Sequence, residues 1–348
     1  QVIDGSLKFD NSAYLKRTPS SAGNRRTWTW SAWYKSSQKT GTNRYLFAAG
    51  YSTTPWYGWI HQLADNSEFQ VTYDAGVAAG FKTTPRYRDT GWYHVVWSHD
   101  STQSTDTEKT KIYVNGVQVT DFDNTSYPSL NEEGPVNNTV LHELGGKADR
   151  DPLLGRLSQV YLIDGQALGP EYFGFTDPLT NTWKPKKYSG TFTQSSPNNG
   201  TTWSGQVTGS FYGGNYDETE MFDGSLSSVA QSTGATWTTN IPFTTLRIYG
   251  QIYGAGSRSI SVNGTDVTSQ LGSDGDARAW HTITGVSSPL TSIQWDGTSY
   301  VGASPPLIGL SAIEIDGEIL IDGLNNTGVN SFYLPMDGNS PIGKDQSG

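Results

Sequence analysis

Bulky and polar side chains alternate with a period of two along many short stretches of this chain. In the run W-Y-H-V-V-W-S-H at residues 92–99, both faces of the pattern carry large side chains, which predicts a strand packed between two layers. Asn-Gly turns begin at 115, 199 and 263, and Asp-Gly turns at 4, 164, 223, 274, 296, 316, 322 and 337. Because such dipeptides accept a positive φ, they favour tight hairpins. The pattern predicts an all-β protein.

The order of elements in the first half carries a family resemblance. Its pieces are S-L-K-F-D at 6–10, strands at 30–35, 92–99, 111–114 and 155–163, and a short helix that begins at Pro170. In this order they resemble the laminin-G-like, concanavalin A-like jelly roll over about residues 3–175. The resemblance implies a β-sandwich. It does not fix an activity, since lectins, adhesion modules and glycanases share that fold.

Two segments outside that sandwich resemble another class of protein. They are F-T-D-P-L-T-N-T-W-K-P-K-K-Y at 175–188 and the final F-Y-L-P-M…I-G-K-D-Q-S-G at 332–348. Both are similar to segments that follow such jelly rolls in virion appendage and tail-fibre proteins of marine bacteriophages. This resemblance implies a location on the outer surface of a virus particle.

A length of 348 residues suits two domains, each with its own core. The strand pattern is interrupted at 176–188 by two prolines and several lysines. We therefore expect a laminin-G-like jelly roll at 1–175, a linker at 176–188, a second β-sandwich at 189–324, and a terminal segment at 325–348 that leads into a further region. The strand rhythm of 189–324 is similar to the accessory sandwiches of carbohydrate-binding modules.

The second sandwich is expected to bury its tryptophans. Its predicted strands are 206–212, 229–231, 235–238, 245–251, 259–262, 280–283, 292–295 and 310–315. Trp203, Trp237, Trp280 and Trp295 lie in or beside these strands, where large rings commonly fill the space between sheets. We interpret all four as core residues.

Composition excludes several classes of function. The formal net charge is −10, and the chain has no long basic tract, which argues against nucleic-acid binding because phosphates require clustered Lys and Arg. The absence of cysteine excludes disulfides, thiolate metal sites and a cysteine nucleophile. No run of 18 apolar residues occurs, so we expect no membrane insertion.

One motif points to an enzyme class. Glu314-Ile-Asp316-Gly-Glu318 matches the E-x-D-x-E pattern of laminarinase-like and lichenase-like glucanases. In that family the carboxylates share one face of a straight strand, and the retaining pair lies about 5 Å apart. Here Asp316-Gly317 is itself a hairpin signal, and a turn would separate the carboxylates. We expect no catalytic residue, and a jelly-roll glycanase stays open as an alternative.

Aromatic residues cluster in one stretch of the first domain. It contains Tyr51, Trp56, Tyr57, Trp59 and His61 around a proline and a glycine. Sugar rings stack on flat indoles through their C–H faces, so exposed loop aromatics beside polar groups predict a glycan contact. The alternative is that Tyr57 and Trp59 begin a strand and fill the core.

No cofactor is expected from the sequence. The histidines show no metal-ligand spacing, and no calcium loop of the D-x-D-x-D-G type is present. Laminin-G relatives often hold calcium at the rim of the sandwich, and Asp74, Asp149 and Asp151 are candidates by composition alone.

Together these features predict a non-enzymatic structural protein of a virion, such as a tail fibre, a spike or a capsid-attached fibre. Its expected partners are other virion proteins, further copies of itself, and a host-surface polysaccharide. Weak glycan contacts become useful through multivalency on an oligomeric particle. A secreted or cell-surface bacterial adhesin or filament subunit built from the same modules is the first alternative.

Overall fold

The computed structural model describes residues 3–10, 12–37, 43–50, 58–63, 67–73, 80–147, 153–193, 196–212, 216–253, 258–297 and 307–347. These residues are nearly all in strands and loops, as the sequence predicts. The chain divides into two compact units: unit 1 is Gln1–Gln194 with Asn326–Gly348, and unit 2 is Ser195–Asn325. Unit 2 is therefore inserted into the sequence of unit 1 and does not simply follow it.

The elements of unit 1 that precede the insertion are mostly short strands. They are β1 (Leu7–Asp10), β2 (Leu15–Arg17), β3 (Thr27–Ser36), β4 (Arg44–Ala49), β5 (Gly58–Gln62), β6 (Phe69–Thr72), β7 (Gly80–Thr83), β8 (Tyr93–Asp100), β9 (Thr110–Val114), β10 (Val117–Gln118), β11 (Phe122–Thr125), β12 (His142–Leu144), β13 (Leu154–Asp164), β14 (Gly174–Asp177) and β15 (Thr182–Pro185). A helical turn, α1, spans Asp106–Lys109, and the predicted helix at Pro170 is a 3-10 turn, Pro170–Tyr172.

Two antiparallel sheets build the sandwich of unit 1. The first sheet has the order β1-β13-β3-β8-β9-β10, and the second has the order β11-β7-β6-β5-β4-β12-β2. Their facing sides form an aromatic core that includes Trp30, Phe47 and Trp97. The two-sided burial predicted for β8 is confirmed, because Trp97 lies in this core and Val96 lies in a smaller cluster on the opposite face of the first sheet.

The segment 176–188 is not a linker. Strands β14 and β15 pair as a hairpin, and Trp183 Nε1 donates a hydrogen bond to Nδ1 of the buried His94 at 3.0 Å. A Cβ atom on Gly116 would lie 2.6 Å from the Trp183 ring, so the ring rests directly on the Asn115-Gly116 turn. This packing is not visible in the sequence, because the hairpin is short and polar and its contacts lie far away along the chain.

The terminal segment also belongs to unit 1. Strand β25 (Phe332–Leu334) pairs with Val160–Leu162 of β13, on the same edge that β1 occupies further along. Phe332 and Leu334 join the main core, and Tyr333 lies in the smaller cluster. The predicted separation of a terminal segment at 325–348 is therefore wrong, because this segment completes the first sandwich.

A buried carboxylate connects distant parts of unit 1. Asp164 accepts hydrogen bonds from the backbone N of Asn24 at 2.8 Å, from Asn137 Nδ2 at 2.9 Å and from the backbone N of Asn330 at 3.0 Å. Burial raises its pKa to about 7, although the two backbone hydrogen bonds and the charge of Arg17 favour the charged form.

Unit 2 is a second all-β body. Its strands are β16 (Val207–Phe211), β17 (Ala230–Ile241), β18 (Leu246–Tyr253), β19 (Arg258–Val262), β20 (Thr265–Asp266), β21 (Ala279–Thr282), β22 (Leu290–Gly297), β23 (Leu307–Ile315) and β24 (Glu318–Ile319). Two short predicted strands, 229–231 and 235–238, are parts of the single long strand β17. The nine strands belong to one sheet, in which β17 pairs with both β22 and β23, and the core of unit 2 contains Trp203, Trp237 and Trp295. Within the described part of the chain, no helix could cross a bilayer.

Candidate functional site

The outer face of the second sheet, the side turned away from the core, carries two of the predicted glycan-binding residues. Ile60 of β5 lies in the core, so its neighbours Trp59 and His61 lie on the outer face, because side chains alternate along a strand. Their cross-strand neighbours are Tyr45 and Ala48 on β4, and Gln70 and Thr72 on β6; Glu143 on β12 opposes Ala48. Register therefore gathers aromatic and polar side chains on one surface.

Lys147 covers part of this surface. Its Nζ atom lies 3.4 Å from the centroid of the Trp59 ring and 5.2 Å from that of Tyr45. An ammonium over an indole face is attracted by the ring quadrupole, with a typical value of about 0.5–2 kcal/mol. The Tyr45 ring meets Trp59 edge-on at 6.0 Å. Trp59 is half-buried, and its orientation is fixed from two sides.

His61 packs against the aromatic rings of this surface. It is 3% exposed and packs between the rings of Tyr45, at 4.6 Å, and Trp59, at 6.4 Å. Burial lowers the pKa of His61 to about 3; the Gln70 side chain opposes this shift and the charge of Lys147 adds to it. The ring is therefore neutral at physiological pH and acts here as a packing group.

Only part of the predicted glycan-binding cluster lies within the residues that the structure describes. Tyr51, Trp56 and Tyr57 lie outside the described residues, whereas Trp59 and His61 share one face. Trp59 does belong to a strand, as one interpretation of the sequence held, but it faces away from the core cluster. Lys147 could not be found from sequence, because its contact with Trp59 depends on the pairing of distant strands.

The described carboxylates at the edge of the second sheet form ion pairs. Lys82 Nζ lies 3.3 Å from Glu68 and 2.9 Å from Asp123, and Arg86 Nε lies 3.3 Å from Glu68. The hydrogen bond from Lys82 lowers the pKa of Asp123. A glycosidase acid needs a raised pKa in order to protonate the leaving group. Asp123 therefore has the opposite shift, and both carboxylates, the buried Glu68 and the exposed Asp123, act as partners of Lys82.

The E-x-D-x-E motif forms the predicted hairpin turn. Asp316 and Gly317 have φ values of 52° and 91° between β23 and β24. The Cα partners are Glu314 with Ile319 and Ile315 with Glu318. Cross-strand partners share a face and neighbours do not, so Glu314 and Glu318 point to opposite faces of the hairpin.

Each carboxylate of this motif has its own partners. Glu314 pairs with Arg247 at 2.9 Å, Asp316 accepts from the backbone N atoms of Thr244 and Thr245 at 2.8 and 2.6 Å, and Glu318 accepts from Ser196 Oγ at 2.7 Å. The arrangement stabilises a turn and does not bring two carboxyl groups to a common point.

The candidate calcium ligands Asp74, Asp149 and Asp151 lie outside the described residues. Within the described ranges, no group of three or more His, Asp or Glu side chains is placed to hold a metal ion.

Comparison with known families supports the jelly-roll resemblance. Residues 9–171, in unit 1, match the model of a family described as the concanavalin A-like lectin/glucanases superfamily. Unit 1 thus contains a domain of this superfamily. No curated protein sequence matches the chain.

Several solved structures share weak similarity. A heptameric SAP-like pentraxin from Limulus polyphemus is 15% identical, with 48% of this chain and 79% of that chain covered and a TM-score of 0.35. Domain 4 of AbnA, a GH43 extracellular arabinanase from Geobacillus stearothermophilus, in complex with arabinotriose, is 17% identical, with 48% and 73% covered and a TM-score of 0.35. The CBM40 of the Ruminococcus gnavus IT-sialidase is 13% identical, with 48% and 93% covered and a TM-score of 0.31. Similarity at this level says nothing about ligand or activity.

Proposed function

We propose that the protein is a non-catalytic glycan-binding protein that contacts its ligand through the outer face of unit 1. The observation that carries the proposal is Trp59, a half-buried indole on a sheet face, held by Lys147 and backed by Tyr45 and His61. A rigid indole beside polar groups matches a pyranose ring, which has apolar C–H faces and polar edges.

Lys147 and Gln70 provide the polar part of the proposed contact. The ammonium of Lys147 is carried on a flexible four-carbon stem, so it can exchange the indole face for a sugar hydroxyl while the ring accepts the sugar. Gln70 opposes His61 across β5 and β6 and is half-buried, which leaves its amide next to the aromatic group. Stacking and directional hydrogen bonds would then act on the same sugar.

The sharpest test compares glycan binding by the full chain and by Trp59→Ala on a panel of soluble neutral and acidic polysaccharides. We expect at least a tenfold loss of affinity, which corresponds to about 1.4 kcal/mol. Lys147→Met keeps the apolar stem and removes the charge, and a smaller loss is expected. Tyr172→Ala, at a tyrosine that is 43% exposed elsewhere in unit 1, is the matched control and should bind normally.

Two results would contradict this proposal. One is unchanged binding by a folded Trp59→Ala protein. The other is release of reducing ends from any of the polysaccharides by the intact chain, which would show catalysis. Circular dichroism and thermal midpoints for each variant separate a lost contact from a lost fold.

We further propose that the glycan is a host-surface polysaccharide and that the protein is an oligomeric component of a virion, as a tail fibre, spike or capsid-attached fibre. The support is the resemblance of 175–188 and 332–348 to phage appendage proteins. Immunogold labelling with an antibody against the chain tests this location. Label on virus particles is expected, and label confined to bacterial surfaces would identify an adhesin instead.

A further inference from the structure

A second aromatic surface lies on unit 2. Ile248 and Ile252 of β18 point into the core, so Arg247, Tyr249, Gln251 and Tyr253 lie on the opposite side of the sheet. We name this side the β18 face. It also includes the residues of β21 and β23 that oppose these side chains, and Gln231 of β17, which opposes Gly309 of β23.

One end of the β18 face carries Trp280. The sequence placed this residue in the core, but it lies on the short edge strand β21, opposite Tyr249, and is half-buried. The two rings lie 5.2 Å apart, and the Arg247 guanidinium lies 4.9 Å from the centroid of the Trp280 ring. The prediction was wrong because a four-residue strand does not reveal which of its faces is buried.

The other end of the face carries tyrosines. Tyr253 is 37% exposed, and its ring covers Gly309, where a Cβ atom would lie 3.4 Å from Tyr253 and 3.9 Å from Gln231 Cγ. The backbone of Gln231 bonds to those of Tyr212 and Tyr216, which are 45% and 38% exposed. The backbone of Gln231 is therefore paired with two residues whose side chains are partly exposed tyrosines.

The spacing of the two ends suits a chain of sugars. Tyr249 and Tyr253 are four residues apart on one strand, which corresponds to about 13 Å. That distance exceeds a single ring. Gln251 and Gln231 lie on the face between the two ends; Gln251 is buried, at 7% exposure, and Gln231 is half-buried. Two aromatic platforms with a polar side chain between them suit an extended glycan.

The charged groups of the face have partners within unit 2. Arg247 forms an ion pair with Glu314 at 2.9 Å, so the charges beside Trp280 cancel. Arg278 donates to the carbonyl oxygens of Ser227 and Ser228 and to Ser311 Oγ, so these N–H groups are already used. A neutral surface of aromatic rings and an internal ion pair favours a neutral ligand over an anionic one.

We propose that the β18 face is a binding site for a neutral polysaccharide, with one sugar on Trp280 and Tyr249 and another on Tyr253. The site belongs to unit 2 alone and is independent of the proposed Trp59 site. It gives each chain a second attachment point for glycans.

The test uses the full chain with Trp59→Ala as the background, so that the proposed site of unit 1 is removed. Affinity is measured for the soluble neutral polysaccharides laminarin, dextran, galactomannan and arabinoxylan, with alginate as the acidic comparison. Adding Trp280→Ala or Tyr253→Ala is expected to weaken binding to at least one neutral polysaccharide tenfold or more. Adding Tyr172→Ala is expected to leave it unchanged. Tyr253→Ala keeps the test valid if Trp280→Ala fails to fold.

The results separate this proposal from that for unit 1. Binding that survives Trp59→Ala and is lost with a substitution on the β18 face supports the second site. Three results overturn it: the Trp59→Ala chain binds none of the neutral polysaccharides, binding is indifferent to Tyr253→Ala, or alginate binds more tightly than every neutral polysaccharide.

Discussion

The rings of Tyr161 and Tyr333 stack face to face, with centroids 4.3 Å apart and planes inclined by 5°. Tyr161 belongs to β13 and Tyr333 to β25, so the stack joins residues on either side of the inserted unit 2. Both rings are buried, at 1% and 5% exposure. Unit 1 therefore depends on residues far from its predicted boundary.

Tyr333→Ala should destabilise unit 1 strongly. Truncation of a buried aromatic ring removes its contacts and leaves a cavity, which typically costs about 3–5 kcal/mol. Hydrogen exchange, followed by mass spectrometry, should show faster exchange in β1, β3 and β13 while unit 2 is unchanged. Tyr172→Ala, at a partly exposed tyrosine, should cost less than about 0.5 kcal/mol. Equal protection in both variants would contradict the role assigned to β25.

Trp183→Ala should unfold or loosen the hairpin formed by β14 and β15. The substitution removes the ring that lies on the Asn115-Gly116 turn and the hydrogen bond to His94 Nδ1. Because the ring is half-buried, its loss should cost about 1–3 kcal/mol. Limited proteolysis at 176–188 reports the result, with rapid cleavage expected only in the variant. Rapid cleavage of the unaltered chain there would restore the interpretation as a linker.

Acid should destabilise unit 1 through its buried histidines. Burial lowers the pKa of His61 and His94 to about 3, and that of His99 and His142 to about 4. In the unfolded chain these groups protonate near pH 6.5, so between pH 6.5 and 4 the unfolded state binds more protons. The stabilisation is complete above pH 6.5 and is lost as the pH falls towards 4. Urea midpoints at pH 7.5, 6.0 and 4.5 should decrease, and His99→Asn should flatten the trend.

Asp164 should act in the opposite direction. Its folded pKa is raised to about 7 from an unfolded value near 3.8, so the folded state binds the extra proton. Its contribution is present below pH 4 and is lost as the pH rises through 7. The unfolding free energy of the native chain minus that of Asp164→Asn should therefore decrease between pH 4.5 and 7.5. An increase over that range would show that the three hydrogen bonds outweigh burial.

Asp316→Ala should weaken unit 2. Asp316 accepts hydrogen bonds from the backbone of Thr244 and Thr245, and these bonds lower its pKa. Their loss should reduce the stability of unit 2 by about 1–2 kcal/mol, the usual scale for a charge-assisted bond. Chemical denaturation measures the loss of stability. Asp217→Ala, which removes the cap of a 3-10 turn, serves as a second surface variant for comparison. Unchanged stability of the Asp316→Ala protein would contradict the structural role assigned to this carboxylate.

Local chemistry predicted much of the fold. The Asn-Gly and Asp-Gly turns at 115, 263 and 316 have the positive φ values that these dipeptides favour, and the two-sided strand β8 is buried on both faces. These features depend on neighbouring residues only. They are accessible from sequence because turn conformation and side-chain alternation are set within a few positions.

Long-range packing could not be predicted in the same way. Trp183, Trp280 and Lys147 each take their role from a partner that is distant in sequence: His94, Tyr249 and Trp59. A tryptophan in a short strand fits equally well on either face, and only the neighbouring strand decides between core and surface. Both proposed sites depend on such pairings. The sequence therefore indicated only part of the Trp59 site and did not indicate the β18 face.

The pairing of β25 with β13 has a consequence for biosynthesis. Residues 332–334 are translated after the whole of unit 2, so the edge of β13 at Val160–Leu162 stays unpaired while Ser195–Asn325 emerge from the ribosome. The inserted unit can reach its native state first, and the enclosing domain is finished last. An unpaired strand edge attracts other chains, so slow translation beyond residue 194 should leave the nascent protein exposed to aggregation until its final strand is added.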